Sequence, residues 1–247
     1  MLVMMTRLWL ALFVAGCAMA QARTPVIVEL FTSEGCSSCP GADNLLWRLE
    51  QNQPYPGVEV VALGEHVDYW NDLGWKDRFS SPLFSARQQD YGRTLRLENV
   101  YTPQMVVNGQ AQFNGSDQSR ASAEIQKAAQ GAKAELAMYL ASDDVIHLNV
   151  EHLPPGVRDA DMYLAITETA LSTDVPRGEN TGRRLRHTGV VRSLTTLGHI
   201  DAKKSSGYSA DARINLKPEW RRENLKLVLF VQDRASRKIV GAATLHP

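Results

Sequence analysis

Val26-Ile27-Val28-Glu29-Leu30-Phe31-Thr32-Ser33-Glu34-Gly35-Cys36-Ser37-Ser38-Cys39-Pro40 carries the chain from an apolar run, through a Cys-x-x-Cys, into a helical pattern. Val26–Phe31 is nearly continuous in apolar residues, as a strand covered on both faces requires. Pro40–Gln51 places Leu45, Leu46 and Leu49 on one helical face. Cys36 therefore falls at a helix N-terminus, where unpaired N–H groups and the positive end of the macrodipole favour a thiolate. Cys39, one turn further in, is within disulfide reach. These two residues are the expected catalytic pair, Cys36 attacking and Cys39 resolving. A zinc site needs about four ligands, and the only other cysteine is Cys17, so no metal is expected. Ser37 and Ser38 carry no positive charge and Glu34 opposes ionisation. The expectation is a modestly lowered thiol pKa and a reducing couple.

N-terminal to this stretch, Arg7 precedes the apolar core Leu8–Val14, which has the length of a secretory signal and is too short to span a bilayer. Ala18-Met19-Ala20 offers a cleavage site releasing a soluble chain near Gln21. Val14-Ala15-Gly16-Cys17 is the competing reading, a lipobox that would leave Cys17 lipidated and the protein membrane-anchored. Both place the protein outside the cytoplasm, in the periplasm or medium, where dithiols are oxidised unless a periplasmic reductant acts on them. Lys plus Arg and Asp plus Glu both number 27, so no net field attracts nucleic acid.

C-terminal to it, Val58–Leu63 reads as a second buried strand. Gln104–Val107 and Ala111–Phe113 flank Asn108-Gly109 as a hairpin, and Ser119–Ala134 reads as a closing helix. Val28–Ser33 before the Cys-x-x-Cys, followed by Thr102-Pro103-Gln104 before a strand, resembles the thioredoxin and glutaredoxin fold. More closely, Glu65–Trp75, Tyr101–Gln104 and Arg177-Gly178-Glu179-Asn180 resemble a bacterial secreted thioredoxin-like family, domain of unknown function 1223. The resemblance implies a cis Pro103 that presents the Thr102 backbone to substrate. It also offers Glu29 as a candidate proton relay to the second cysteine, against the alternative of a paired structural glutamate.

The stretch 65–101 reads as an insertion at the ligand-binding edge of the sheet. His66 and Asp68 are its candidate substrate-binding residues, beside Thr102 and Pro103. Leu73, Trp75, Phe79 and Phe84 alternatively form the private core of a helical cap. Beyond residue 135 the period changes: Glu135–Leu140, Val145–Val150, Met162–Thr167, Thr188–Leu197, Ser209–Leu216 and Leu225–Gln232 read as strands. The fold expectation is thus a thioredoxin-like α/β domain over residues 23–135 with a helical insertion, followed by an antiparallel, immunoglobulin-like β-sandwich over 136–247. The polar loop Arg177–His187 is either solvated or a contact for another domain or a ligand. The functional expectation is an exported thiol–disulfide oxidoreductase acting on protein or small-molecule thiols, with no cofactor beyond its own disulfide. The alternative is a binding module with an inert disulfide.

Overall fold

The computed structural model describes residues 23–205 and 207–247; the signal, both cleavage readings and Cys17 lie outside the described residues. In chain order the elements are β1 (Thr24–Thr32), α1 (Cys39–Asn52), β2 (Val58–His66), α2 (Pro82–Thr94), β3 (Gln104–Val107), β4 (Ala111–Asn114), α3 (Gln118–Ala129), β5 (Glu135–Ser142), β6 (Val145–Glu151), β7 (Asp159–Glu168), β8 (Leu171–Asp174), β9 (Arg184–His187), β10 (Val190–Asp201), β11 (Tyr208–Arg213), β12 (Leu225–Asp233) and β13 (Ile239–Leu245). The expected strand 188–197 begins two residues later, at Val190 of β10, because the chain turns at Thr188-Gly189 between β9 and β10. The closing helix stops at Ala129, short of Gly131.

The expectation of a thioredoxin-like domain with a helical insertion, followed by an immunoglobulin-like sandwich, is overturned by the sheet. Eight strands form one mixed sheet in the order β13-β12-β7-β10-β2-β1-β3-β4. The first half thus joins the second within a single layer. The joint is β2 against β10, where Gly64 pairs with Val190 and the Gly64 N–H donates to the Gly189 carbonyl at 2.7 Å. Two glycines make this approach possible: a Cβ on Gly64 would lie 3.2 Å from Thr188 O, and one on Gly189, at φ +56, 2.5 Å from Ala62 O. A three-stranded sheet, β11-β6-β5, packs Ile146, Leu148 and Val150 onto Met162, Leu164, Leu227 and Leu229 of the large sheet. The antiparallel strands of the second half are therefore present, but one of their two layers belongs to the whole molecule.

On the first-half face of the large sheet, α1 and α3 bury Leu45, Leu46, Leu49 and Ile125 against Val26, Val28, Leu30 and Val60. Helix α2 covers the opposite face. The residues expected to form a private helical cap are dispersed: Leu73 is exposed, Phe79 packs on His66 and His187, and Phe84 joins Ile27, Leu63, Val228 and Phe230. They belong to the sheet because α2 lies across the joint between the halves. Its Arg87 reaches Glu29 of β1 at 2.6 Å, Glu65 of β2 at 3.4 Å and Gln232 of β12 at 3.2 Å, all buried. Tyr91 donates to Glu29 at 2.5 Å and accepts from Gln232 at 2.8 Å. Burial and the neighbouring Glu29 push the Glu65 carboxyl well above the ordinary range against the pull of Arg87, and so favour its neutral form beside the Arg87–Glu29 pair.

Candidate functional site

The C-terminal end of β1 runs through Ser33-Glu34-Gly35 into the Cys36–Cys39 disulfide, whose Cα atoms are 5.4 Å apart. Cys39 is the first residue of α1, so the pair straddles the helix N-terminus read from the sequence. The exposure differs from that reading. Cys36, expected at the solvent-facing end of the turn, is fully buried, as is Cys39, while Ser37 and Ser38 between them are exposed.

The loop of the second half explains part of the burial. Asn180, itself fully buried, donates from Nδ2 to the carbonyls of Glu34 and Cys36, both at 2.9 Å. Glu179 accepts the Ser37 N–H at 3.0 Å. On another side, Trp70 lies against Gly35, where an added Cβ would sit 3.2 Å from its own Cβ, and its Nε1 donates to Thr102 Oγ1 at 2.9 Å. The Thr102–Pro103 bond is cis. Pro103 meets Leu30 of β1 and Ala42 of α1 around Gly115, where a Cβ would lie 3.2, 2.7 and 2.9 Å from them. Thr102 and Pro103 are thus brought to the first turns of the cysteine helix.

The other expected site residues separate. Glu29 alternates with Val28 and Leu30, which face α1, and so points to the α2 face, where Arg87 and Tyr91 hold it. Asp68 accepts from Ser85 Oγ of α2. His66 lies on the α1 face and is buried, with Nδ1 2.6 Å from Asp77 Oδ2. Its ring meets that of His187 edge to face at 4.9 Å.

Around His66 is a cluster that the sequence reading missed. Glu34, fully buried, takes Trp75 Nε1 at 2.8 Å on one oxygen and faces His187 Nε2 at 3.2 Å with the other. Its backbone N–H donates to Asp77 at 2.8 Å. Asp43 lies one helical turn after Cys39 and is buried, with burial raising its carboxyl pKa against the pull of His187 and His66. A charged residue on the apolar face of α1 was the available signal: Asp43 falls among Cys39, Ala42, Leu46 and Leu49. Three acids and two imidazoles thus gather at the disulfide loop, contributed by the turn between β1 and α1, by α1, β2, the 68–80 segment and β9.

The comparisons with known proteins follow the same extent. A family model described as "Protein of unknown function (DUF1223)" matches residues 27–232. The chain belongs to this family. Among solved structures, this chain is similar to protein AGR_C_4864 from Agrobacterium tumefaciens at a TM-score of 0.71 and 30% identity, covering 92% of this chain and 96% of that one. A domain of the outer membrane lipoprotein Omp28 from Porphyromonas gingivalis matches 46% of this chain and 92% of its own at 11% identity, with a TM-score of 0.25. No curated protein matches. Among the described residues, no helix is long and apolar enough to cross a membrane.

The His66–Asp77 pair gives the DUF1223 site a pH signature. Burial works against charge on His66, but Asp77, with Asp43 and Glu34, carries its pKa above the ordinary value; burial is likewise outweighed at Asp77, which His66 holds below the carboxylate range. The His66 contribution is fully present below about pH 6.5 and is lost as pH rises through its raised folded value. The Asp77 contribution is present above about pH 3.9 and is lost as pH falls through its lowered one. Denaturant titrations of wild type and Asp77→Asn should therefore differ most between about pH 5 and 6.5 and converge toward alkaline pH. A gap that widens above pH 8 would contradict the charged pair.

Proposed function

We propose that this protein is an exported thiol–disulfide oxidoreductase in which Cys36 exchanges with substrate and Cys39 resolves the mixed disulfide. The observation that carries the reading is the Cys36–Cys39 disulfide at the N-terminus of α1, backed by a buried acid–imidazole cluster. A purely structural bond has no need of ionisable groups that cost free energy to bury. Asp43, rather than Glu29, is the carboxyl placed to take up and return the Cys39 proton, since it lies on the cysteine side of the sheet, one turn along the same helix. Glu34, two residues before Cys36, disfavours a thiolate nearby, which supports a reducing rather than an oxidising couple. Attack on Cys36 requires the Asn180 loop or the Trp70 segment to open, because the sulfur is covered in the oxidised form. Export, by soluble release or through a lipidated Cys17, is part of the same proposal and rests on residues 1–22 of the sequence.

The binding-module reading has one observation behind it: both cysteines are buried. Turnover separates the two. With dithiothreitol as reductant, the protein should accelerate reduction of a protein disulfide, and Cys36→Ser should remove the acceleration. No acceleration by wild type, with the bond intact, favours the binding module.

A further inference from the structure

Beside the first turn of α1 lies a cleft of about 460 Å³, walled by Pro40, Asp43 and Asn44 on one side and by Arg183, Arg184 and Arg186 on the other. The arginines come from β9 and the residue before it, on the loop that Asn180 fastens to the cysteines. Their charge is weakly committed. Arg183 gives Nη1 to the Asn180 amide oxygen at 3.2 Å, and Arg184 reaches Ser172 Oγ at 3.3 Å and the exposed Asp174 only at 3.9 Å. Arg186 stands opposite the uncharged Ser172 in the β8–β9 hairpin. The acids facing the cleft do not cancel three guanidinium groups: Asp43 is buried and driven toward its neutral form, and Asp174 lies out in solvent. The same helix end already receives a carboxylate from within the chain, Glu179 on the Ser37 N–H.

We propose that this arginine cleft is the substrate-binding site and selects disulfides whose sulfur is flanked by a carboxylate. The inference rests on the oxidoreductase reading and names its substrate class. In the reduced protein the Cys36 thiolate attacks one sulfur of the bound disulfide. The Cys36–substrate S–S bond forms as the substrate bond breaks, and the departing thiolate takes a proton. Cys39 then gives up its proton, attacks Cys36 and releases the second substrate thiol. Two electrons pass from the dithiol to the substrate, and the Cys36–Cys39 bond is restored. Guanidinium groups suit a carboxylate because their paired N–H donors match its two oxygens. Small anionic disulfides and disulfide peptides with acidic flanks share this chemistry.

The test is the rate at which the reduced mature chain exchanges with glutathione disulfide, hydroxyethyl disulfide and cystamine, which are anionic, neutral and cationic. Each rate is normalised to that of dithiothreitol with the same reagent. Wild type should favour the anionic over the cationic disulfide by about tenfold or more at low salt, with the ratio shrinking as screening rises. Arg184→Gln with Arg186→Gln, both exposed positions, should bring the ratio toward one, and Arg184→Glu with Arg186→Glu should invert it. A disulfide peptide with flanking aspartates, compared with its lysine counterpart, identifies the source. Preference in the peptides alone assigns an acidic polypeptide, and preference in both series assigns the carboxylate itself. Equal normalised rates in both series with wild type, or a ratio that survives charge reversal, overturns the proposal. Failure of all three small disulfides, the neutral one included, instead overturns the oxidoreductase reading on which it stands.

Discussion

Arg87→Ala is expected to cost about 3–5 kcal/mol of folding stability, the range for removing one partner of a buried ion pair. Arg87 is the only cation in contact with Glu29 and Glu65 through a short ion pair among the described residues, and all three are buried. Its guanidinium also lies over the rings of Tyr91, Tyr163 and Phe230 at 5.2–5.5 Å. Without it, the Glu29 carboxylate loses its cationic partner and keeps neutral donors such as the Tyr91 hydroxyl. Because α2 connects β1, β2 and β12, the loss falls on both halves of the sheet at once. Urea unfolding should remain a single transition with a lower midpoint. Glu65→Gln is the informative companion: burial favours the neutral form of this side chain in the folded state, so the substitution should cost less than about 1 kcal/mol. Equal losses in the two variants would mean that Glu65 is ionised and the charge assignment is wrong.

Cys39→Ser is expected to convert transient exchange into a trapped mixed disulfide at Cys36, whereas Cys36→Ser should trap essentially nothing. The asymmetry follows from position. Cys36 precedes the helix and borders the exposed Ser37-Ser38 turn, while Cys39 is within α1, with Asp43 one turn further along. Opening the Asn180 contact therefore uncovers Cys36 first, and the exposed thiolate gains the N–H groups of the helix start. Mass spectrometry of the two variants reads the outcome. Trapping through Cys39 in the Cys36→Ser protein would reverse the roles and place the entry to the site on the Asp43 side.

The parts of the fold set by local pattern were legible. β1 and β2 are apolar almost without a break, the Asn108-Gly109 turn falls between β3 and β4, and β6 and β11 alternate in burial along their lengths. What no local pattern carries is which strands lie side by side. The contact of β2 with β10 is made by backbone groups of Gly64 and Gly189, so no side-chain period announces it, and the sequence reading separated what the sheet joins. β13 escaped notice because Gly241, Ala242 and Ala243 have little strand preference, although the strand pairs with β12 on both sides of a bulge at Val240. At the site, the cysteines and Pro103 stand in a motif, but Glu34 and His187 are separated by 153 positions and meet only because β9 returns beside α1. Glu29, held in a pair with Arg87 as its structural alternative had it, is the converse case. It lies close to the cysteines along the chain, yet strand alternation turns it to the other face of the sheet.

The most direct test of the central claim is the redox equilibrium of Cys36–Cys39 in the intact folded protein, read by alkylation and mass shift across dithiothreitol and glutathione buffers. With uncharged residues between the cysteines and Glu34 two residues before Cys36, the account predicts reversible two-electron reduction with a midpoint between about −300 and −200 mV. A bond that stays closed in native protein well below about −300 mV, and opens only on unfolding, would contradict it and leave the disulfide a structural one.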